Sequence, residues 1–224
     1  MFVQHNTINA TKQYFSNKLK EHFSESEIRF MYQMLVEDRL GFSRTEMLLK
    51  GQERLSESDL LYFRSVANQL LEGVPFQHII GFTYFYDLKI KCDKRALVPR
   101  PETEELVDWM LKEEQKVGRI LDICTGTGCI ALAAKSVLKD AVTSGWDVSA
   151  EALLLANENA NNLNLAVDFK EVDFLKVEPS SEKWDVIFSN PPYIPIKEKE
   201  EMDKTVTDFD PDLALFVPDN EPLL

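Results

Sequence analysis

Two clusters of residues in this chain combine types and spacing that suit chemistry. The first is the run Ile120-Leu121-Asp122-Ile123-Cys124-Thr125-Gly126-Thr127-Gly128-Cys129-Ile130, where a β-rich segment meets a glycine turn and a helix start. Gly126 and Gly128 carry no Cβ, so the backbone can turn sharply and approach a ligand, and the helix start offers free N–H groups. Asp147 closes the next β-rich run, 25 residues after Asp122, where a carboxylate can accept hydrogen bonds from both hydroxyls of a ribose. Together these features predict a nucleoside site. A dinucleotide fingerprint would place a third glycine at 131; Ala131 is an allowed substitute, so that spacing decides little. Asp122 before the turn favours a ligand with a cationic amino-acid end, and S-adenosylmethionine carries both an ammonium and a sulfonium. The second cluster is Asn190-Pro191-Pro192-Tyr193, directly after another β-rich run.

The elements that must hold these clusters are legible in the hydrophobic periodicity. From Arg119 onward, β-rich runs at Ile120 to Ile123, Val142 to Asp147, Val167 to Val172 and Asp185 to Ser189 are separated by helical stretches at Ile130 to Leu138 and Ala150 to Asn161. Strand and helix alternating in this way predict an open parallel α/β sheet with right-handed crossovers. Four strands are visible, and the 35 residues from Asn190 to the end show no further strand and helix pair, so the sheet reads as C-terminally incomplete.

Residues 1–75 read as a small helical bundle. Ser24 with Glu27 and Ser56 with Asp59 have the spacing of helix caps, and Met31 and Met34 fall on an apolar stripe as packing residues. Residues 76–100 form the expected linker: the period changes to two, with Leu88, Ile90 and Cys92 alternating with lysines, after an aromatic run and a turn near Asp87. Pro99 and Pro101 hold the next stretch extended before a helix near Glu104, and the third region is 101–224.

Composition narrows the partners. The chain carries 38 acidic and 25 basic side chains, a net charge of -13, and residues 1–80 account for only 9 basic and 10 acidic of these. A protein that grips phosphates without sequence preference needs a basic face, so bulk nucleic-acid binding is disfavoured. Cys92, Cys124 and Cys129 are too few for a disulfide framework and lack metal spacing, so no metal site is expected and a reducing, cytosolic setting is the default. Cys124 and Cys129 read as small packing residues rather than a redox pair. No apolar run is long enough to span a membrane.

Asn190-Pro191-Pro192-Tyr193 after a strand, downstream of the glycine loop, resembles the catalytic motif of S-adenosylmethionine-dependent methyltransferases that modify planar nitrogens. Such a nitrogen is a poor nucleophile because its lone pair is delocalised. The resemblance implies that the Asn190 side-chain oxygen and the Pro191 carbonyl accept its two N–H hydrogens. Pro191 and Pro192 fix that carbonyl without offering a competing donor, and Tyr193 lies against the planar group.

The segments Pro75 to Gly81 and Leu97 to Val107, with Pro99-Arg100-Pro101-Glu102-Thr103 at their centre, resemble the peptide chain release factor glutamine methyltransferases along nearly the whole chain. That family implies a Rossmann-like methyltransferase domain behind a helical substrate-recognition domain and a hairpin. It also implies S-adenosylmethionine as cofactor and N5-methylation of the glutamine in the Gly-Gly-Gln loop of class I release factors. The resemblance assigns the cofactor to Asp122, Cys124, Thr125, Gly126, Thr127, Gly128, Asp147, Phe174 and Asn190, and the substrate amide to Asn190, Pro191, Pro192 and Tyr193. Cys124 stands where the family usually has glycine, Phe174 where Trp is frequent, and His78 where Tyr is usual. An RNA or DNA amino-group methyltransferase and a non-catalytic module that docks release factors are the alternative readings.

Overall fold

The computed structural model describes residues 6–113, 117–178, 182–201 and 209–219. The chain divides into two compact units, 1–80 and 81–224. Residues 76–80 therefore group with the helices, and the hairpin groups with the sheet.

The first unit contains α1 (Ile8–Leu19), α2 (Glu25–Leu40), α3 (Arg44–Leu49), α4 (Glu57–Leu71) and α5 (Phe76–Ile80). Ser24 and Glu27 form a reciprocal capping box at α2, and the Ser56 hydroxyl accepts the Asp59 N–H at α4. Ser43 and Glu46 form a second box at α3. Each box satisfies two N–H groups that the helix leaves without partners, which sets where the helix begins. The apolar stripes meet around Phe15, Tyr32 and Phe63, whose rings form a tilted chain. The buried Tyr32 hydroxyl donates to the Ile8 carbonyl at 2.8 Å, so its polar end is satisfied inside the core. Met31 is buried in this core and Met34 packs against it.

The second unit begins with β1 (Phe82–Phe85) and β2 (Leu88–Lys91), an antiparallel hairpin. Tyr86 and Asp87 both adopt left-handed φ, 51° and 61°, the geometry of a two-residue turn whose twist matches the strands. After α6 (Glu102–Glu113) come β3 (Arg119–Ile123), α7 (Cys129–Val137), β4 (Val142–Asp147), α8 (Ala150–Leu163), β5 (Asp168–Glu171) and β6 (Val186–Ser189). These four strands run parallel in the order β5-β4-β3-β6. Helix α6 starts two residues before the expected Glu104, because Glu102, Glu104 and Glu105 all fit the positive end of its dipole.

Sequence periodicity shows nothing after Asn190, yet Ile194–Pro195 (β7) pairs in parallel with Phe216–Val217 (β8), flanked by a short helix at Asp212–Leu215. Two-residue strands are too short to leave a period. Among the described residues no helix is long and apolar enough to cross a membrane.

The strand order determines where a ligand can bind. The chain leaves β3 toward β4 on one side and returns to β6 on the other, so the direction of winding reverses between β3 and β6. In open α/β sheets the crevice at such a reversal, beyond the carboxyl ends of the strands, receives the ligand. Strand β3 is buried from Ile120 to Ile123, as a central parallel strand must be.

Candidate active site

The glycine loop leaves the end of β3 in a conformation that side chains resist. Cys124, Gly126 and Gly128 all have left-handed φ, 59°, 54° and 80°. Backbone bonds brace the turn: Thr125 N–H donates to the Trp146 carbonyl at 3.0 Å, and Gly128 N–H to the Thr125 carbonyl at 2.8 Å. The two glycines serve different needs. A Cβ on Gly128 would lie 2.9 Å from the Phe169 ring and 3.2 Å from Ala156, so this glycine is required by packing as well as φ. Among the described residues a Cβ on Gly126 would meet only Ala96, at 3.8 Å, ordinary contact that leaves this side of the loop uncrowded.

Two carboxylates surround the turn. Asp147, partly exposed at the end of β4, accepts the Gly126 N–H on Oδ2 and the Ser149 N–H on Oδ1, both at 2.9 Å. Each carboxylate oxygen has a second lone pair, so the oriented group retains capacity for two hydroxyl donors. Asp122 differs from the sequence expectation. It is fully buried, and its Oδ2 accepts the Thr125 hydroxyl at 2.6 Å and the Ala131 N–H at 3.3 Å. Its contacts tie the loop to the start of α7, so it bears on a cationic ligand through charge rather than through an exposed face. Burial pushes its pKa up to about 7, against the lowering effect of those two hydrogen bonds, and nearby Asp147 raises it slightly further.

Thr125 and Thr127 are buried within the loop, and Cys124 is half-buried. Burial, followed by the charges of Asp147 and Asp122, pushes the Cys124 thiol up to about 11. Burial likewise pushes Cys92 and Cys129 up to about 12, so all three sulfurs are neutral thiols with little nucleophilic character. Phe174 follows β5 in a short turn capped by Asp173 and is 49% exposed, a flat apolar surface that the protein leaves uncovered.

Strand register brings the two clusters together. Ile123 is paired with Trp146 on one side and Ser189 on the other. The loop beginning at Cys124 and the turn beginning at Asn190 therefore leave adjacent strands at the same level, about 4.8 Å apart. Asn190 and Tyr193 are exposed while Pro191 and Pro192 are half-buried, so the turn is anchored by its rings and presents its amide and its phenol.

Several residues that support this geometry carry no local signature. Asn159, fully buried on α8, accepts the Lys91 N–H at 2.7 Å and donates to the carbonyls of Lys91 and Thr127, joining the hairpin to the glycine loop. Next to it Glu158 pairs with Lys91 and Arg95, and those two cations hold its pKa down to about 2. Phe169 lies over Gly145 of β4, where a Cβ would stand 2.6 Å from the ring. That glycine was detectable, since an isolated glycine inside a strand marks close approach by another group.

Comparison with known proteins gives this arrangement its class. The family profile of the methyltransferase small domain matches residues 102–209, and that of the PrmC N-terminal domain matches residues 12–81. The second unit is thus a Rossmann-like methyltransferase domain, with its glycine loop and its Asn-Pro-Pro-Tyr turn on neighbouring strands. The chain is 39% identical over 215 residues to the release factor glutamine methyltransferase of Flavobacterium psychrophilum, covering 94% of this chain and 75% of that protein. It is 35% identical over 217 residues to the protein of that name from Bacteroides thetaiotaomicron, covering 96% and 78%. Against the one from Streptococcus pneumoniae it is 40% identical over 210 residues, covering 91% and 73%. The chain belongs to the release factor glutamine methyltransferase family.

Proposed function

We propose that this protein transfers a methyl group from S-adenosylmethionine to the side-chain amide nitrogen of the glutamine in the Gly-Gly-Gln loop of class I release factors, in the cytosol. The observation that supports the reading is the register of β3 with β6, which brings the start of the glycine loop and the start of the Asn-Pro-Pro-Tyr turn to adjacent strand ends. The cofactor supplies an electrophilic methyl carbon on a sulfonium. The residues present suit it: an uncrowded side of the loop at Gly126, an oriented carboxylate at Asp147 for the ribose, and the exposed Phe174 ring as a surface for the adenine. The Asp147 carboxylate favours its positive charge, and the buried Asp122 adds to this only in its ionised fraction.

On the other strand end, the Asn190 oxygen and the Pro191 carbonyl accept the two amide N–H groups and turn the nitrogen lone pair toward the methyl carbon. Tyr193 packs against the plane of the amide and restrains its rotation. Catalysis on this reading is positioning and electrostatics, with no thiol nucleophile required. Bond formation from nitrogen to carbon breaks the carbon–sulfur bond, and the nitrogen then releases one proton to solvent. The test is incubation with labelled S-adenosylmethionine and either a release factor or its Gly-Gly-Gln variant with Gln→Ala. Label should enter the first alone; equal labelling of both overturns the reading.

A further inference from the structure

The segment between the hairpin and α6 is fastened at three places. Near its start, Arg95 donates to Asp93 at 2.7 and 2.8 Å and to Glu158 of α8 at 2.8 and 2.9 Å. In the middle, the buried Ala96 lies 3.8 Å from where a Gly126 Cβ would stand, so the segment runs along the glycine loop. At its end, Arg100 Nη2 lies 3.5 Å from Asp210 Oδ2. The Asp210 side chain is 2% exposed and that of Arg100 is 48% exposed. A carboxylate this deeply buried is costly unless a cation stands near it, so the pair constrains where the backbone around Asp210 can settle.

Asp210 leads into residues that are bound to the chain following the Asn-Pro-Pro-Tyr turn. Strand β8 pairs with Ile194–Pro195, and Lys197 N–H donates to Asp219 Oδ1 at 2.9 Å. Lys199 Nζ donates to both Asp212 carboxylate oxygens, at 2.6 and 2.7 Å. Ile194 is the residue after Tyr193. A continuous series of contacts thus runs from the glycine loop through Ala96 and Arg100 to Asp210, and from there through β8 to the turn.

We propose that Arg100 is a positioning residue, which through Asp210 sets the Asn190–Tyr193 turn relative to the glycine loop. Its kinetic consequences rest on the amide-methylation reading, and its structural consequences do not. A displacement of the order of 1 Å at a reacting group costs roughly 100-fold in rate. Arg100→Ala is therefore expected to lower kcat roughly 10- to 100-fold, with cofactor Kd within about twofold of the parent. Arg100→Lys should recover most of that rate, because the contact with Asp210 is a single point of charge. Asp210→Asn should reproduce the Arg100→Ala loss, and the double variant should be no worse than the poorer single one, as one shared interaction requires.

Parental kcat in Asp210→Asn, or additive losses in the double variant, would overturn the proposal, since Arg100 would then act on substrate or cofactor directly. Hydrogen exchange gives a readout that needs no turnover. Arg100→Ala should speed exchange in peptides spanning 190–199 and leave 124–131 unchanged, with Arg100→Lys near the parent. Unaltered exchange in 190–199 overturns the proposal even where the parent chain methylates nothing, an outcome that would instead defeat the functional reading.

Discussion

The ends of β3 and β6 are neighbours in one sheet, yet they are built in different ways. At the β3 end the chain is held from every side: Asp122 grips Thr125 and Ala131, Asp147 grips Gly126, Asn159 grips Thr127, and Phe169 packs against Gly128. At the β6 end two proline rings provide the anchorage, and Asn190 and Tyr193 face solvent. On the proposed reading these bonds brace the nucleoside half, and whatever shape the protein holds by itself lowers the ordering cost of cofactor binding. On the same reading the amide half offers its acceptors on this short, exposed turn. Affinity for cofactor and rate of transfer should consequently fail separately when the two ends are altered.

The largest expected effect is on rate. On the proposed reading Asn190→Ala removes one of two acceptors for the substrate amide, and losing one such contact costs roughly 100- to 1,000-fold in kcat. Calorimetry should give a cofactor Kd that changes far less than kcat; a parallel loss of affinity would show that the two ends are not separable.

Gly128→Ala probes the packed end. It adds a Cβ at 2.9 Å from Phe169 in a backbone of φ 80°, and overpacking together with left-handed strain should cost about 2–4 kcal/mol in urea unfolding. Gly126→Ala has the strain without the collision, so it should cost only about 1–2 kcal/mol while weakening the cofactor more. Equal stability losses in the two variants would contradict the distinction between packing and ligand approach.

Asp147→Ala should weaken cofactor binding roughly 10- to 100-fold, the value of hydrogen bonds to a charged group, with a smaller change in kcat at saturating cofactor. Calorimetry that shows undiminished affinity removes the ribose assignment.

A pH series isolates Asp122. Its pKa is raised to about 7 in the folded chain, above the unfolded value of about 4, so the native state binds the extra proton between those limits. Stability from this group is full below about pH 4 and is lost as pH rises toward 7, at no more than about 1.4 kcal/mol per unit. Glu158 is shifted the other way, to about 2, so its contribution is intact above about pH 5 and does not mask the trend. Urea midpoints should fall from pH 5.5 to 7.5 in the parent by the equivalent of about 2 kcal/mol, and stay level in Asp122→Asn.

What the sequence revealed follows the same division. The glycine loop was legible because each residue there has a local job: glycine for left-handed φ, Asp147 at a strand end, a helix start after the turn. The four sheet strands were legible from period and β-branched content, to within a residue or two at their ends. Asn159 was not, because its three partners come from residues 32 and 68 positions away and its own surroundings read as an ordinary helix. The burial of Asp122 was not legible for a related reason: its contacts with Thr125 and Ala131 depend on the folded turn. Arg100 and Asp210 lie 110 residues apart, beyond any pattern in one chain.

Cys124 brings the comparison down to its smallest expected effect. At φ 59° it occupies a region that costs an L-residue about 1–2 kcal/mol. Glycine at 124, which the resemblance to the family leads one to expect, would release that strain. It would also loosen the unfolded chain, at about 0.5–1 kcal/mol, and remove the half-buried sulfur from its contacts. The net change for Cys124→Gly should be a gain of about 0.5 kcal/mol. Cys124→Ala loses the same sulfur yet keeps a Cβ in the left-handed backbone, so it should gain nothing, and Cys124→Val should lose stability through its branched Cβ. Urea unfolding of the three variants ranks them directly. The order Gly above Ala above Val would show that backbone strain governs this end of β3; an Ala variant as stable as the Gly variant would show that the sulfur, and not the φ angle, sets the cost.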